Sequence, residues 1–143
     1  MPHLRSAFVA AALVFSGIAA AGDSPPLDRS GRKQVGKASI YADKFANRKM
    51  ANGRRMDPRD DNAASKTLPL GTTARVTNLD TGKSATVTIE DRGPYVAGRI
   101  VDLSPATAEQ IGLSRKDGIA PVAVEPIAVP PADRSVGQAA GLK

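Results

Sequence analysis

The run Glu90-Asp91-Arg92-Gly93-Pro94-Tyr95-Val96-Ala97-Gly98-Arg99-Ile100-Val101-Asp102-Leu103-Ser104 concentrates more polar chemistry than any other stretch of this 143-residue chain. Acids and arginines surround a Gly-Pro turn between an alternating strand and a helix start. A carboxylate at a strand end, beside such a turn, can be aimed at a ligand by a rigid scaffold. Asp91 is the candidate for proton transfer. The chain has no cysteine, and its single histidine is His3. If the first residues are cleaved off, as argued below, no Ser-His-Asp or Cys-His machinery is left. A zinc site then lacks its favoured ligands, and disulfides are ruled out although export permits them. Acid–base chemistry falls to a carboxylate, or else to Lys or Tyr. Neither a metal nor a cofactor is expected.

The N-terminus reads as a sorting signal. Arg5 supplies a positive start, Ala7 to Ile18 an apolar segment, and Ala19-Ala20-Ala21 a small-residue cleavage site before Gly22. The apolar stretch is short of the ~20 residues that a spanning helix needs. Residues 1–21 are therefore expected to be a signal peptide. No cysteine follows to carry a lipid, so the product is expected to be soluble, periplasmic or cell-wall associated, without a stable membrane anchor. The formal net charge is +6, and loss of Arg5 lowers it by one. Export directs this basic surface away from nucleic acid, and towards wall polymers and anionic membrane surfaces.

Residues 22–35 are polar, contain Pro25-Pro26 and read as a flexible leader. Residues 128–143 contain Pro130-Pro131 and read as a disordered tail. Between them, residues 36–127 suffice for one modest core. Lys37 to Ala42 is a short strand candidate. Residues 43–66 are polar and read as one long excursion, of the kind that is often functional. Thr72 to Leu79 and Ser84 to Glu90 alternate and are joined by a hairpin loop containing Asp80 and Gly82. Arg99 to Val101 is a buried strand candidate. Ser104 and Pro105 start a helix that Gly112 ends. Ile119 to Ile127 closes the domain, with Pro121 and Pro126 predicting an edge strand. Short strands with one short helix suggest a small barrel.

Six blocks then carry a resemblance. They are Gly36-Lys37-Ala38-Ser39-Ile40-Tyr41, Ala51-Asn52-Gly53, Thr67-Leu68-Pro69-Leu70-Gly71-Thr72, Val76-Thr77-Asn78-Leu79, Asp91-Arg92-Gly93-Pro94-Tyr95 and Gly98-Arg99-Ile100-Val101-Asp102-Leu103-Ser104. In this order the series resembles the RlpA-like proteins over residues 36–127. The resemblance implies a mainly β fold, a six-stranded double-psi β-barrel with one or two short helices. It also implies action on peptidoglycan glycan strands as an endolytic lytic transglycosylase, often on strands without stem peptides, and cell-wall or division proteins as partners. Active members carry a Glu after the Ala-Asn-Gly block, where this chain has Arg54. They carry a His where it has Ser65. Only Asp91 is retained of the three polar active-site positions.

A lytic transglycosylase asks less of its protein than a hydrolase does. The C6 hydroxyl of the substrate's muramic sugar attacks C1 and closes a 1,6-anhydro ring, so the nucleophile is already tethered. A hydrolase needs a second carboxylate. One Asp can suffice, as in membrane-bound lytic transglycosylase A on a related barrel. Against this, a general acid must be protonated in a useful fraction, and an Asp ordinarily titrates near ~3.9. Nearby arginines favour its charged form. Arg54 in place of Glu reverses a charge, and Ser65 cannot exchange protons near neutral pH.

Two readings stay open: a transglycosylase with a reduced site at Asp91, and a silent peptidoglycan-binding or scaffolding protein. Expansins show by analogy of fold that related barrels act on wall polymers without hydrolysis. A barrel with a different ligand, such as a protein partner, is a third. The expected substrate-binding residues are Tyr41, Asn52, Arg54, Ser65, Arg92, Tyr95 and Arg99. Asp102 is expected to be structural, and Arg99 can serve as its partner. Tyr41 and Tyr95 are either core residues or sugar-stacking faces. Asn52 is a turn former or a sugar donor. Arg54 and Arg55 are plain surface charges or contacts to carboxylates of the polymer.

Overall fold

The computed structural model describes residues 26–132. The expected signal peptide (1–21) and most of the expected tail lie outside these residues. Six strands close into a barrel: β1 (Gln34–Ile40), β2 (Asn62–Ser65), β3 (Thr73–Asn78), β4 (Ser84–Asp91), β5 (Arg99–Leu103) and β6 (Ile119–Ala128). Their order around the barrel is β1-β5-β2-β4-β3-β6. The β1–β5 and β2–β4 pairs are parallel and the other four are antiparallel. Among the described residues, one helix, α1 (Pro105–Gln110), and a single 3-10 turn (Asp43–Phe45) complete the regular structure.

The alternation read from the sequence is the alternation of the wall. In β4, Ala85, Val87 and Ile89 point inward, and in β3 so do Ala74 and Val76. Val101, Leu103, Val122 and Val124 join them, and Ile111 and Leu113 after α1 complete the core. The helix begins as expected: Ser104 Oγ accepts from the Thr107 amide, and Pro105 occupies the first turn. Gly112 follows the helix at φ +75°.

Two expectations fail for instructive reasons. Residues 43–66 are not one excursion, because Asn62–Ser65 form β2, the strand between β4 and β5. All four of its residues are buried, so it shows no inside–outside alternation, and its Ala and polar composition carries no hydrophobic signal. β6 is not an edge, because it pairs with β1 on one side and β3 on the other. Its prolines sit where no ladder donor is needed. Lys37 opposite Pro121 turns its amide away to Gly98 O, and Pro126 lies at the register shift against β3.

β1 spans Gln34–Ile40, so it starts before both the expected domain start at 36 and the strand candidate Lys37 to Ala42, and ends before Ala42. Within the expected leader, the Asp28 amide donates to Thr67 O at 2.7 Å, and Gln34 Nε2 reaches both Asp28 and Thr67. No helix among the described residues is long and apolar enough to cross a membrane.

Candidate functional site

β2 organises the polar face. Its Ala64 lies opposite Asp91 of β4 on one side and Asp102 of β5 on the other. Paired residues share a face of a sheet, so both carboxylates flank the small Ala64 side chain on the outside of the barrel. Ser39 of β1 extends the row beyond Asp102. Over this row lies a second small cluster of Tyr41, Met50, Met56 and Ala64.

Met50 and Met56 belong to a hairpin-like loop over residues 47–56. The Asn47 amide bonds Met56 O, the Met56 amide bonds Arg48 O, and the Met50 amide bonds Arg54 O, each at 2.7 Å. The two methionines pin the loop to the barrel wall, which brings its tip to the end of β4. There the Ala51 amide donates to Asp91 Oδ1 at 2.9 Å, and the Asn52 amide to Glu90 O at 3.1 Å.

Asp91 accepts three hydrogen bonds. The Ala51 and Arg92 amides share Oδ1, and the Tyr41 hydroxyl reaches Oδ2, all at 2.9 Å. The Tyr41 ring is buried, with its edge against Phe45. Burial, then the bond to Asp91 and the charges of Asp91, Asp102 and Glu90, push the phenol well above its ordinary value. Tyr41 is thus a support beneath Asp91 rather than an open sugar platform.

Arg54 turns to Glu90, with Nη1 to Oε1 at 3.7 Å and a side chain 75% exposed. Asn52 binds the same Glu90 oxygen through Nδ2, while its Oδ1 accepts the Arg54 amide. Asn52 thus shapes the turn through Oδ1, and its side chain is exposed. Ser65 is buried, and its Oγ accepts the amides of Thr67 and Leu68, so it faces the turn and not a ligand. Arg92 donates through Nη1 to Ser65 O at 3.0 Å and Leu68 O at 2.5 Å. Partial burial pulls this guanidinium below its ordinary value. It braces the β4 end against the turn after β2.

Arg99 binds Ser39 Oγ through Nε and Nη2 and reaches Asp102 at 3.4 Å. Ser39 also hydrogen-bonds Asp102. This trio ties β1 to β5. Tyr95 is 75% exposed on the loop after the cis Gly93–Pro94 bond, beside exposed Val96. Of the residues expected to bind a ligand, Tyr95, Arg54 and Asn52 are exposed, Asn52 with its side chain bonded to Glu90 and the Arg54 amide, while Tyr41 and Ser65 are buried and Arg92 and Arg99 are half-buried and bonded within the protein. Sequence reasoning missed Ser39 and the Met50/Met56 anchors; two methionines in an otherwise polar segment were the available signal. Among the described residues no group of three or more acidic, His or Cys side chains is arranged to hold a metal ion.

Comparison with known proteins agrees with this architecture. The profile of a double-psi β-barrel family described as lytic transglycolase matches residues 33–124. The chain is 46% identical over 103 residues to the endolytic peptidoglycan transglycosylase RlpA of Pseudomonas aeruginosa, covering 72% of this chain and 30% of that protein. It is 44% identical over 94 residues to the protein of that name from Neisseria meningitidis, covering 66% and 39%. The chain thus spans well under half the length of these relatives. Among solved structures, the Streptomyces papain inhibitor aligns with a TM-score of 0.52 at 26% identity, over 68% of this chain and 96% of that one. An expansin of Clavibacter michiganensis aligns at 0.51 with 20% identity, over 69% and 52%, a likeness of fold alone. On its sequence and its closed six-stranded barrel, the chain belongs to the lytic transglycolase family of double-psi β-barrels as an RlpA-like member.

Proposed function

We propose that this barrel acts on peptidoglycan glycan strands as an endolytic lytic transglycosylase centred on Asp91, in a protein exported to the cell wall. The observation that carries the reading is the turn of Arg54 towards Glu90, which spares Asp91 a guanidinium partner. Asp91 is then the acid and base of both half-steps. Its protonated carboxyl gives the proton to the glycosidic oxygen as the C1–O bond breaks. The C6 hydroxyl closes on C1, and its proton returns to the Asp91 carboxylate. Tyr41 and the Ala51 amide fix the carboxyl in place. Tyr95, four positions after the acid in the chain, offers an exposed aromatic face for a sugar ring. The relatives named as RlpA transglycosylases support the substrate class. Division or other wall proteins are partners that this reading allows.

A second reading is a binding or scaffolding protein on the same barrel. The three donors on Asp91 favour it, because they give this carboxylate a part in holding the residue 47–56 loop and the end of β1 to β4. Mass spectrometry of peptidoglycan, intact and stripped of stem peptides, separates the two after incubation with the protein and its Asp91→Asn variant. Anhydromuramyl products from the wild type and none from the variant establish the enzyme. Sedimentation with the polymer without products establishes the binder.

A further inference from the structure

β4 ends in a bulge that carries two acids. Its pairing with β2 runs from Ala63 with Ile89 directly to Ala64 with Asp91, so Glu90 is left without a partner across the ladder. Strict alternation points consecutive side chains to opposite faces. The extra residue breaks the alternation and turns Glu90 and Asp91 to the same side of the wall. Burial follows the same course. Residues alternate exposed and buried from Ser84 to Ile89, and then Glu90 and Asp91 are both half-buried.

The loop over residues 47–56 holds both carboxyls from consecutive residues. The Ala51 amide binds Asp91 Oδ1 at 2.9 Å, and Asn52 Nδ2 binds Glu90 Oε1 at 3.0 Å. Glu90 is also close enough for its charge to act on the Tyr41 phenol that bonds Asp91. Its second oxygen is unspent. Among the described residues no hydrogen bond reaches Oε2, and the side-chain polar atoms buried without a partner are Asn62 Oδ1 and Thr72 Oγ1, so Oε2 is open to solvent. Arg54 Nη1 stands 3.7 Å from Oε1, which offsets the charge without a hydrogen bond.

We infer that Glu90 is a second catalytic carboxylate of this site, presenting Oε2 to the muramic ring and stabilising the positive charge that grows there, an inference that rests on the transglycosylase reading. As Asp91 gives its proton to the glycosidic oxygen and the C1–O bond breaks, C1 and the ring oxygen share a positive charge. A fixed carboxylate beside them gains most when that charge is largest, in the transition state, and so raises rate rather than affinity. Glu90 exchanges no proton in this step. Asp91 keeps both transfers, and the C6 hydroxyl remains the nucleophile.

The test uses glycan strands stripped of stem peptides, with anhydromuramyl product followed by mass spectrometry and binding by co-sedimentation. Glu90→Gln keeps an acceptor for Asn52 Nδ2 and removes the charge. Its kcat should fall about 10- to 100-fold, with KM and sedimentation unchanged. A residue that merely held the loop would tolerate this change. Unchanged kcat therefore overturns the inference and leaves the transglycosylase reading standing. A loss of affinity equal to the loss of product assigns Glu90 to binding and overturns it too. Wild type that forms no product overturns both. Arg54→Gln removes the cation that offsets Glu90. Product should rise about two- to fivefold in the wild-type background and stay level in Glu90→Gln. An equal rise in both backgrounds overturns the inference. Circular dichroism checks the fold. If Glu90→Gln does not fold, Arg54→Gln alone decides, with no rise overturning the inference.

Discussion

The Tyr41 hydroxyl donates to Asp91 Oδ2 at 2.9 Å from a ring that is 6% exposed. The donor arrives from the chain just beyond β1 and the acceptor from the end of β4, so barrel closure itself sets the contact. A buried hydroxyl bonded to a carboxylate has few alternatives, since water cannot replace it. Tyr41→Phe should cost about 1.5–3 kcal/mol, the usual worth of a hydrogen bond to a charged group. Urea unfolding measures the loss. If Asp91 is the acid, the same variant also shifts the pH profile of anhydromuramyl product formation.

Tyr41 makes alkaline stability measurable. Its phenol is raised above its free value of 10.0 by burial, and then by Asp91. A group that holds its proton more tightly when folded stabilises the native state fully below the unfolded value, and that contribution is lost as pH rises through the folded value. Wild-type stability should therefore fall from about pH 10 upward more steeply than that of Tyr41→Phe. Chemical denaturation at intervals across this range gives the difference curve, in which lysines and arginines cancel.

Arg54→Glu places an acid beside Glu90 and near Asp91. The removed pair is exposed on the arginine side, so stability should change by no more than about 1 kcal/mol. A new negative charge favours the protonated form of neighbouring carboxyls. On the transglycosylase reading, anhydromuramyl product should rise relative to wild type, as quantified by mass spectrometry.

Ser65→Ala tests the assignment of Ser65 to the turn. It leaves the Thr67 and Leu68 amides without their acceptor in a buried setting. Stability should drop by about 1–2 kcal/mol in thermal or urea unfolding. Affinity for peptidoglycan, measured at a temperature where the variant is folded, should match wild type.

Much of the wall was legible because its signals are local. Ala85, Val87 and Ile89 alternate within β4, Asp80 and Gly82 mark its hairpin, and Ser104 with Pro105 marks the helix start. The ordered blocks from Gly36 to Ser104 also carried the family resemblance and the position of Asp91. β2 was not legible. A strand buried all round and made of Asn, Ala, Ala and Ser has neither period nor apolar weight, and it exists because β4 and β5 need a partner between them.

The sequence by itself determined where five of the six strands, the turn and the acid lie, because periodicity, caps and Gly-Pro chemistry act over a few residues. Only the tertiary structure decided which partners the polar residues take. Register across Ala64 puts Asp91 and Asp102 on one face, and the Met50 and Met56 anchors bring Ala51 to Asp91 and Arg54 to Glu90. Hydrogen bonds and ion pairs act only at contact distance. For residues some forty positions apart, that distance is set by barrel closure and not by the spacing along the chain.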